Sequence, residues 1–171
     1  LGGTVALEIL RKSPERVKRL CLIATDVFPD APQVSADREP LLVQARAGRF
    51  AEAVRATLPV EALAPGVDRA YVAQTYGEMA EAQGLAGVQT RAQQRRRDHQ
   101  STLYRAQCPV QIISGKHDTI VTPKRQAFMA ELAPRASFTC LETAGHLPTL
   151  EDPGAVAGIL HDWLEATQKA A

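Results

Sequence analysis

The chain has 171 residues, 45% apolar and 23% charged, with a formal net charge of +1. These values exclude a disordered or collagen-like chain, and the near-zero charge argues against nucleic acid or an acidic membrane face as a partner. No apolar run reaches the roughly 18 residues that a membrane span needs.

Residues 4–12 predict an amphipathic helix. Thr4, Glu8, Arg11 and Lys12 fall on its polar face, and Val5, Ala6, Ile9 and Leu10 on its core face. Pro14 disfavours helical geometry at Ser13 and stops the helix there. "VKRLCLIAT" follows, a short apolar run of the kind found in a strand buried on both sheet faces.

Residues 29–107 hold several stretches of helical periodicity, at 41–47, 50–58, 68–83 and 85–97. The segment is far longer than an ordinary connection between elements and reads as a helical insertion, or cap. Arg95, Arg96 and Arg97 read as a solvated helix face within it.

"CPVQIIS" predicts a second buried strand, and "GKHDTIVTP" a loop ending in Pro123, which suits the first turn of a helix. That helix covers residues 124–133, with Ala127, Phe128 and Leu132 as its apolar stripe. "SFTCLET" is a third strand and "AGHLPTLEDP" a second loop. A last helix runs from Pro153 to about Thr167, capped by Asp152 and burying Ala155, Val156, Ile159, Leu160, Trp163 and Leu164. Strand, helix, strand, helix is the order of a parallel α/β sheet, because parallel neighbours need crossovers.

Ligands in such sheets bind beyond the carboxyl ends of the strands, where Asp118 and His146 both fall. Taken singly, Asp118 reads as a residue holding its own turn and His146 as a loop histidine. Together, at the ends of consecutive strands, they read as an acid that orients a base, the second half of a nucleophilic triad. His117 is expected at the surface, and the pattern gives His99 and His161 no partner in such a site. Ser114 ends a strand without a sharp turn, and Ser101, Cys108 and Cys140 fall where nothing would expose them, so the internal nucleophile candidates are poor. Cys21, Cys108 and Cys140 have no metal-ligand spacing. They read as buried thiols of a reducing compartment, which makes the cytoplasm the expected location.

"LGG" before a helix, "SGKHDTIVTP" and "AGHLPTLEDP", in that order, resemble the α/β-hydrolase fold, within it the small-molecule esterases and enol-lactone hydrolases. The elbow of that family is G-x-S-x-G, and its triad runs Ser, Asp or Glu, then His. The resemblance implies that Leu1 is the residue after the nucleophile, its backbone N–H an oxyanion-hole donor, and that Gly2 and Gly3 close the elbow. It implies a serine immediately before Leu1.

On the same resemblance residues 1–28 carry the elbow helix and sixth strand, 29–107 the cap, and 108–171 strands seven and eight with the acid and histidine loops. The first five strands of such a domain would lie upstream. Without the nucleophile the chain alone is expected to be inactive and, with an unpaired apolar edge on "RLCLIAT", poorly soluble. The implied reaction is hydrolysis of a carboxylic ester, lactone or thioester of a small, partly apolar substrate, with no metal or organic cofactor. Val27, Ile120, Val121 and Leu147 beside the loops, and Tyr76, Met79, Phe50 and Tyr71 in the insertion, are the candidate pocket residues. An aspartate nucleophile, with Asp26 as an alternative acid, and a noncatalytic binding protein are the competing expectations. Oligomeric state is left open.

Overall fold

A computed structural model describes residues 2–31, 40, 42–49, 53, 55–93 and 96–168. Its elements are α1 (Gly2–Lys12), β1 (Leu20–Ile23), α2 (Arg69–Gln93), α3 (Gln100–Tyr104), β2 (Val110–Gly115), α4 (Pro123–Leu132), β3 (Ala136–Leu141), α5 (Pro148–Glu151) and α6 (Pro153–Gln168). The chain forms two compact units, one of Leu1–Val27, Glu61–Val67 and Asp98–Ala171, the other of Phe28–Val60 and Asp68–Arg97. This differs from an uninterrupted insertion over 29–107, because the chain returns to the sheet unit at 61–67 and rejoins it at Asp98. Backbone hydrogen bonds hold both returns there, from His146 N to Ala62 O at 2.7 Å and from His99 N to Val27 O at 2.7 Å.

Among the described residues the sheet has three parallel strands in the order β1-β2-β3. Leu20 pairs with Val110 and Ile23 with Ile113 on one side of β2, while Val110 pairs with Ala136 and Gly115 with Leu141 on the other. The central strand is buried along its whole length, so its apolar residues run without alternation. Val110, Ile112 and Ile113 are each fully buried, which stabilises the fold by about 1.5–3 kcal/mol per side chain. Gln111 and Ser114 are the polar exceptions: the Gln111 amide donates to Thr139 Oγ1 at 3.1 Å and Ile112 O at 3.2 Å, and Ser114 Oγ accepts from Gln126 at 2.9 Å. In β1 buried and half-buried residues alternate, so burial on both faces belongs to β2 and not to β1.

The longer helices α1, α2, α4 and α6 form where periodicity predicts them, whereas α3 has no counterpart in that pattern and α5, opened by Pro148, lies within the stretch expected as a loop; α1 and α4 also present a different face. In α1 the buried residues are Thr4, Leu7 and Leu10, while Val5 and Ile9 are 46% and 47% exposed. On the buried side Gly3 packs against Thr25, where a Cβ would stand 2.4 Å from Oγ1, and Glu8 Oε1 lies 3.6 Å from His99 Nε2. In α4 the buried side chains are Gln126 and Met129, and Phe128 is exposed. Gln126 is drawn in by its hydrogen bonds to Ser114 and Val121.

The last helix is less buried than its stripe predicts, with Val156 fully buried and Leu164 exposed. Its start is as expected, with Pro153 first and Asp152 Oδ1 accepting from Ala155 N at 3.0 Å. The Asp152 carboxyl is held below its ordinary range, first by the Thr143 hydroxyl and then by the Ala155 N–H.

In the second unit, α2 breaks at Gly84, whose φ of 64° is a left-handed conformation suited to glycine. The two helical stretches expected over 68–83 and 85–97 meet at that residue. Arg96 and Arg97 lie beyond the helix, with Arg96 Nε 3.5 Å from Asp30 Oδ1, so they are not part of a helix face; Arg95 lies outside the described residues. Among the described residues no helix is long and apolar enough to cross a membrane.

Candidate active site

The two loops that follow β2 and β3 lie side by side because their parent strands are parallel neighbours. Their backbones touch. Lys116 N donates to Leu141 O at 2.9 Å and His117 N to Ala144 O at 3.0 Å. Gly115 ends β2 at this contact, where a Cβ would stand 2.1 Å from Gly145 O and 2.5 Å from Ala144 O. Gly145 is equally constrained, since its Cβ would stand 2.0 Å from Ala62 O. Both glycines are required by close backbone approach, and each leads directly into a loop that carries a site residue.

Asp118 and His146 meet at this junction. His146 Nδ1 is 3.0 Å from Asp118 Oδ2, with the aspartate side chain fully buried and the histidine side chain 21% exposed. The other oxygen, Oδ1, accepts from Ile120 N and Val121 N, both at 2.9 Å. Turn-holding and imidazole-orienting roles thus coexist, one on each carboxylate oxygen. A carboxylate at Nδ1 fixes the ring and leaves Nε2 as the atom that exchanges a proton. Among the described residues, no hydroxyl or thiol bonds the His146 ring.

Two further side chains hold this pair, and neither carries a role in the sequence pattern. Gln126 Nε2 donates to Val121 O at 2.8 Å and Ser114 Oγ at 2.9 Å, and lies 3.5 Å from Asp118 Oδ2. Its position after Lys124 and Arg125 in a mixed polar helix carried no signal. Glu151 accepts from Ala64 N at 2.7 Å, Gly145 N at 2.9 Å and Leu147 N at 2.7 Å. It stands inside "LEDP", and that stretch was the available signal.

Leu1 and Phe50 lie outside the described residues. Gly2 and Gly3 form the first turn of α1; a Cβ on Gly3 would stand 2.4 Å from Thr25 Oγ1, whereas one on Gly2 would meet nothing within 4 Å. Close approach therefore requires Gly3 alone. Val27 and Val121 are buried, Leu147 is half-buried and Ile120 is 50% exposed. Tyr76 and Met79 belong to the second unit, where the Tyr76 hydroxyl is 2.8 Å from Thr57 Oγ1 and Met79 is exposed.

Asp26 forms an ion pair with Arg125 at 3.0 Å, whereas the histidine takes its carboxylate from Asp118. His117 is half-buried, His161 is exposed beside Glu165, and His99 is almost fully buried. Ser114 is buried, but Ser101 is exposed on α3, contrary to expectation. All three cysteines are free; Cys108 is buried, while Cys21 and Cys140 are only half-buried. Burial pushes the Cys21 thiol up to about 11.

A family model described as the alpha/beta hydrolase family matches residues 1–159. No curated protein matches the chain. Among solved structures, a thermophilic esterase from Thermogutta terrifontis is similar at 25% identity and a TM-score of 0.79, over 97% of this chain and 62% of that one. The enol-lactonase from Burkholderia xenovorans LB400 is similar at 21% identity and a TM-score of 0.77, over 96% of this chain and 62% of that one. An esterase from Exiguobacterium antarcticum is similar at 17% identity and a TM-score of 0.77, over 95% and 63%. The chain therefore spans about 62% of the length of the first two structures. A parallel sheet with an acid and a histidine on neighbouring loops, together with a family match over nearly all of its length, makes this chain a member of the α/β-hydrolase family.

Proposed function

We propose that the intact protein is a serine hydrolase acting on the carboxylic ester, lactone or thioester bond of a small, partly apolar substrate. The observation that carries this reading is the 3.0 Å contact between His146 Nδ1 and the buried Asp118 carboxylate. The likeness to an esterase and an enol-lactonase adds support.

The proposed nucleophile is a serine immediately before Leu1, in the position that the family's elbow gives it. That serine attacks the carbonyl carbon while His146 Nε2 takes its proton, and the Leu1 N–H donates to the oxyanion. His146 then protonates the leaving oxygen or sulfur, and water activated by the same ring releases the acyl group. Asp118 holds the ring and stabilises the imidazolium without taking the proton. One oxyanion donor contributes about 3–4 kcal/mol of transition-state stabilisation. Val27, Ile120, Val121 and Leu147 are proposed to flank the acyl portion, with Tyr76 and Met79 in a cap that selects substrate. The proposed location is the cytoplasm.

A fluorophosphonate probe on the full-length protein tests this. Labelling of the residue before Leu1, abolished in His146→Ala, is the expected result. Asp118→Asn is expected to lower kcat about 10⁴-fold, because the neutral amide favours the wrong imidazole tautomer. An unlabelled aspartate at that position would replace the reading with an aspartate-nucleophile hydrolase, and a residue that is neither would replace it with a binding protein.

A further inference from the structure

The imidazole of His146 is oriented by Asp118, but that contact acts only on the ring. The position of the residue itself is determined by its backbone, where three successive amides are all engaged. Gly145 N donates to Glu151 Oε2 at 2.9 Å, His146 N to Ala62 O at 2.7 Å, and Leu147 N to Glu151 Oε1 at 2.7 Å. The segment that supplies Ala62 O is tied to the same carboxylate, because Ala64 N donates to Glu151 Oε2 at 2.7 Å. One side chain thus grips the backbone on both sides of the histidine and clamps the chain segment that caps it.

We propose that Glu151 is a positioning residue for His146, setting where the imidazole stands relative to the reacting carbonyl. This rests on the reading of His146 as the catalytic base. Three acceptor contacts spread over two oxygens require a carboxylate. An amide has one acceptor oxygen, and its NH2 would set hydrogen against a backbone N–H. Hydrogen bonds to an ionised acceptor are also roughly twice as strong as neutral ones, which suits a clamp joining residues 87 positions apart in the chain. The space around Gly145, whose Cβ would overlap Ala62 O, shows that the two segments are in direct backbone contact. A loosened clamp therefore lets the histidine loop part from the 61–67 segment. Glu151 spends its carboxylate on backbone, so its loss acts through His146 and not through substrate affinity.

The test uses the full-length protein and p-nitrophenyl butyrate. Glu151→Gln is nearly isosteric and is expected to lower kcat about 100-fold, the scale of a 1 Å misplacement of a catalytic group, with KM within twofold. The downfield proton resonance of His146 Nδ1–H, assigned by its loss in His146→Ala, is expected to broaden or vanish. Glu151→Asp keeps both acceptor oxygens on a shorter arm and is expected to give an intermediate kcat; it decides the matter should Glu151→Gln fail to fold. A folded variant with kcat within twofold of the parent, or with an unchanged Nδ1–H resonance, would overturn the proposal, even if its thermal midpoint fell. Full activity in His146→Ala would instead overturn the underlying assignment of the base.

Discussion

Gly115→Ala places one methyl group where the two site loops touch. The new Cβ would stand 2.1 Å from Gly145 O, 2.5 Å from Ala144 O and 2.6 Å from Ala144 C. All three are backbone atoms, so no side chain can rotate away, and the 144–145 segment must retreat by about 1.3 Å or more to reach ordinary contact. Overpacking of this kind costs about 1–3 kcal/mol. The same retreat stretches the bond from His117 N to Ala144 O, now 3.0 Å, at about 1 kcal/mol more. The expected loss is thus about 2–4 kcal/mol.

His146 adjoins the displaced segment, so its separation from Asp118 grows and turnover falls about 100-fold. Urea unfolding of the full-length protein, paired with initial rates on p-nitrophenyl butyrate, measures both effects. Gly158→Ala is the companion variant, for a Cβ there meets nothing within 4 Å and the residue lies inside α6. It is expected to stabilise by about 0.5–1 kcal/mol, the helical preference of alanine over glycine. A Gly115→Ala protein as stable and as active as the parent would refute the argument that backbone contact between the loops builds the site.

Gln126→Leu removes the donor that satisfies Val121 O and Ser114 Oγ; leaving buried acceptors unpaired costs about 1–3 kcal/mol, read as a lower urea midpoint. The Cys21 thiol, raised to about 11 by burial, titrates above its unfolded value. Its contribution to stability is therefore complete below about pH 8.5, the unfolded value, and is lost as pH rises through about 11. Alkaline unfolding measured on the parent and on Cys21→Ser is expected to show less pH dependence in the variant over that window. Iodoacetamide should also modify Cys21 far more slowly in the native protein than in the unfolded one at pH 8.5, because the thiolate is the reactive form.

The order of the three strands and the longer helices, the break at Gly84, the proline that opens α4 and the Asp152 cap were all legible in the sequence, because each depends on neighbours within a few residues; the short helices α3 and α5 were not. Parallel topology followed from the alternation of elements, and it brought Asp118 and His146 to the same end of the sheet before any distance was known. The sequence alone did not decide which face α1 and α4 bury. Those faces depend on tertiary neighbours outside each helix, Thr25 against Gly3 and Ser114 for Gln126.

The same holds for the support of the histidine loop. Nothing local in "LEDP" says that its glutamate reaches Ala64, and nothing in residues 61–67 says that they leave the helical unit to join the sheet. Local propensity and periodicity act over one or two turns of chain. The clamp at Glu151, the touching glycines and the 3.0 Å acid–base contact exist only once packing has brought distant backbone together, which is why the tertiary structure decided them.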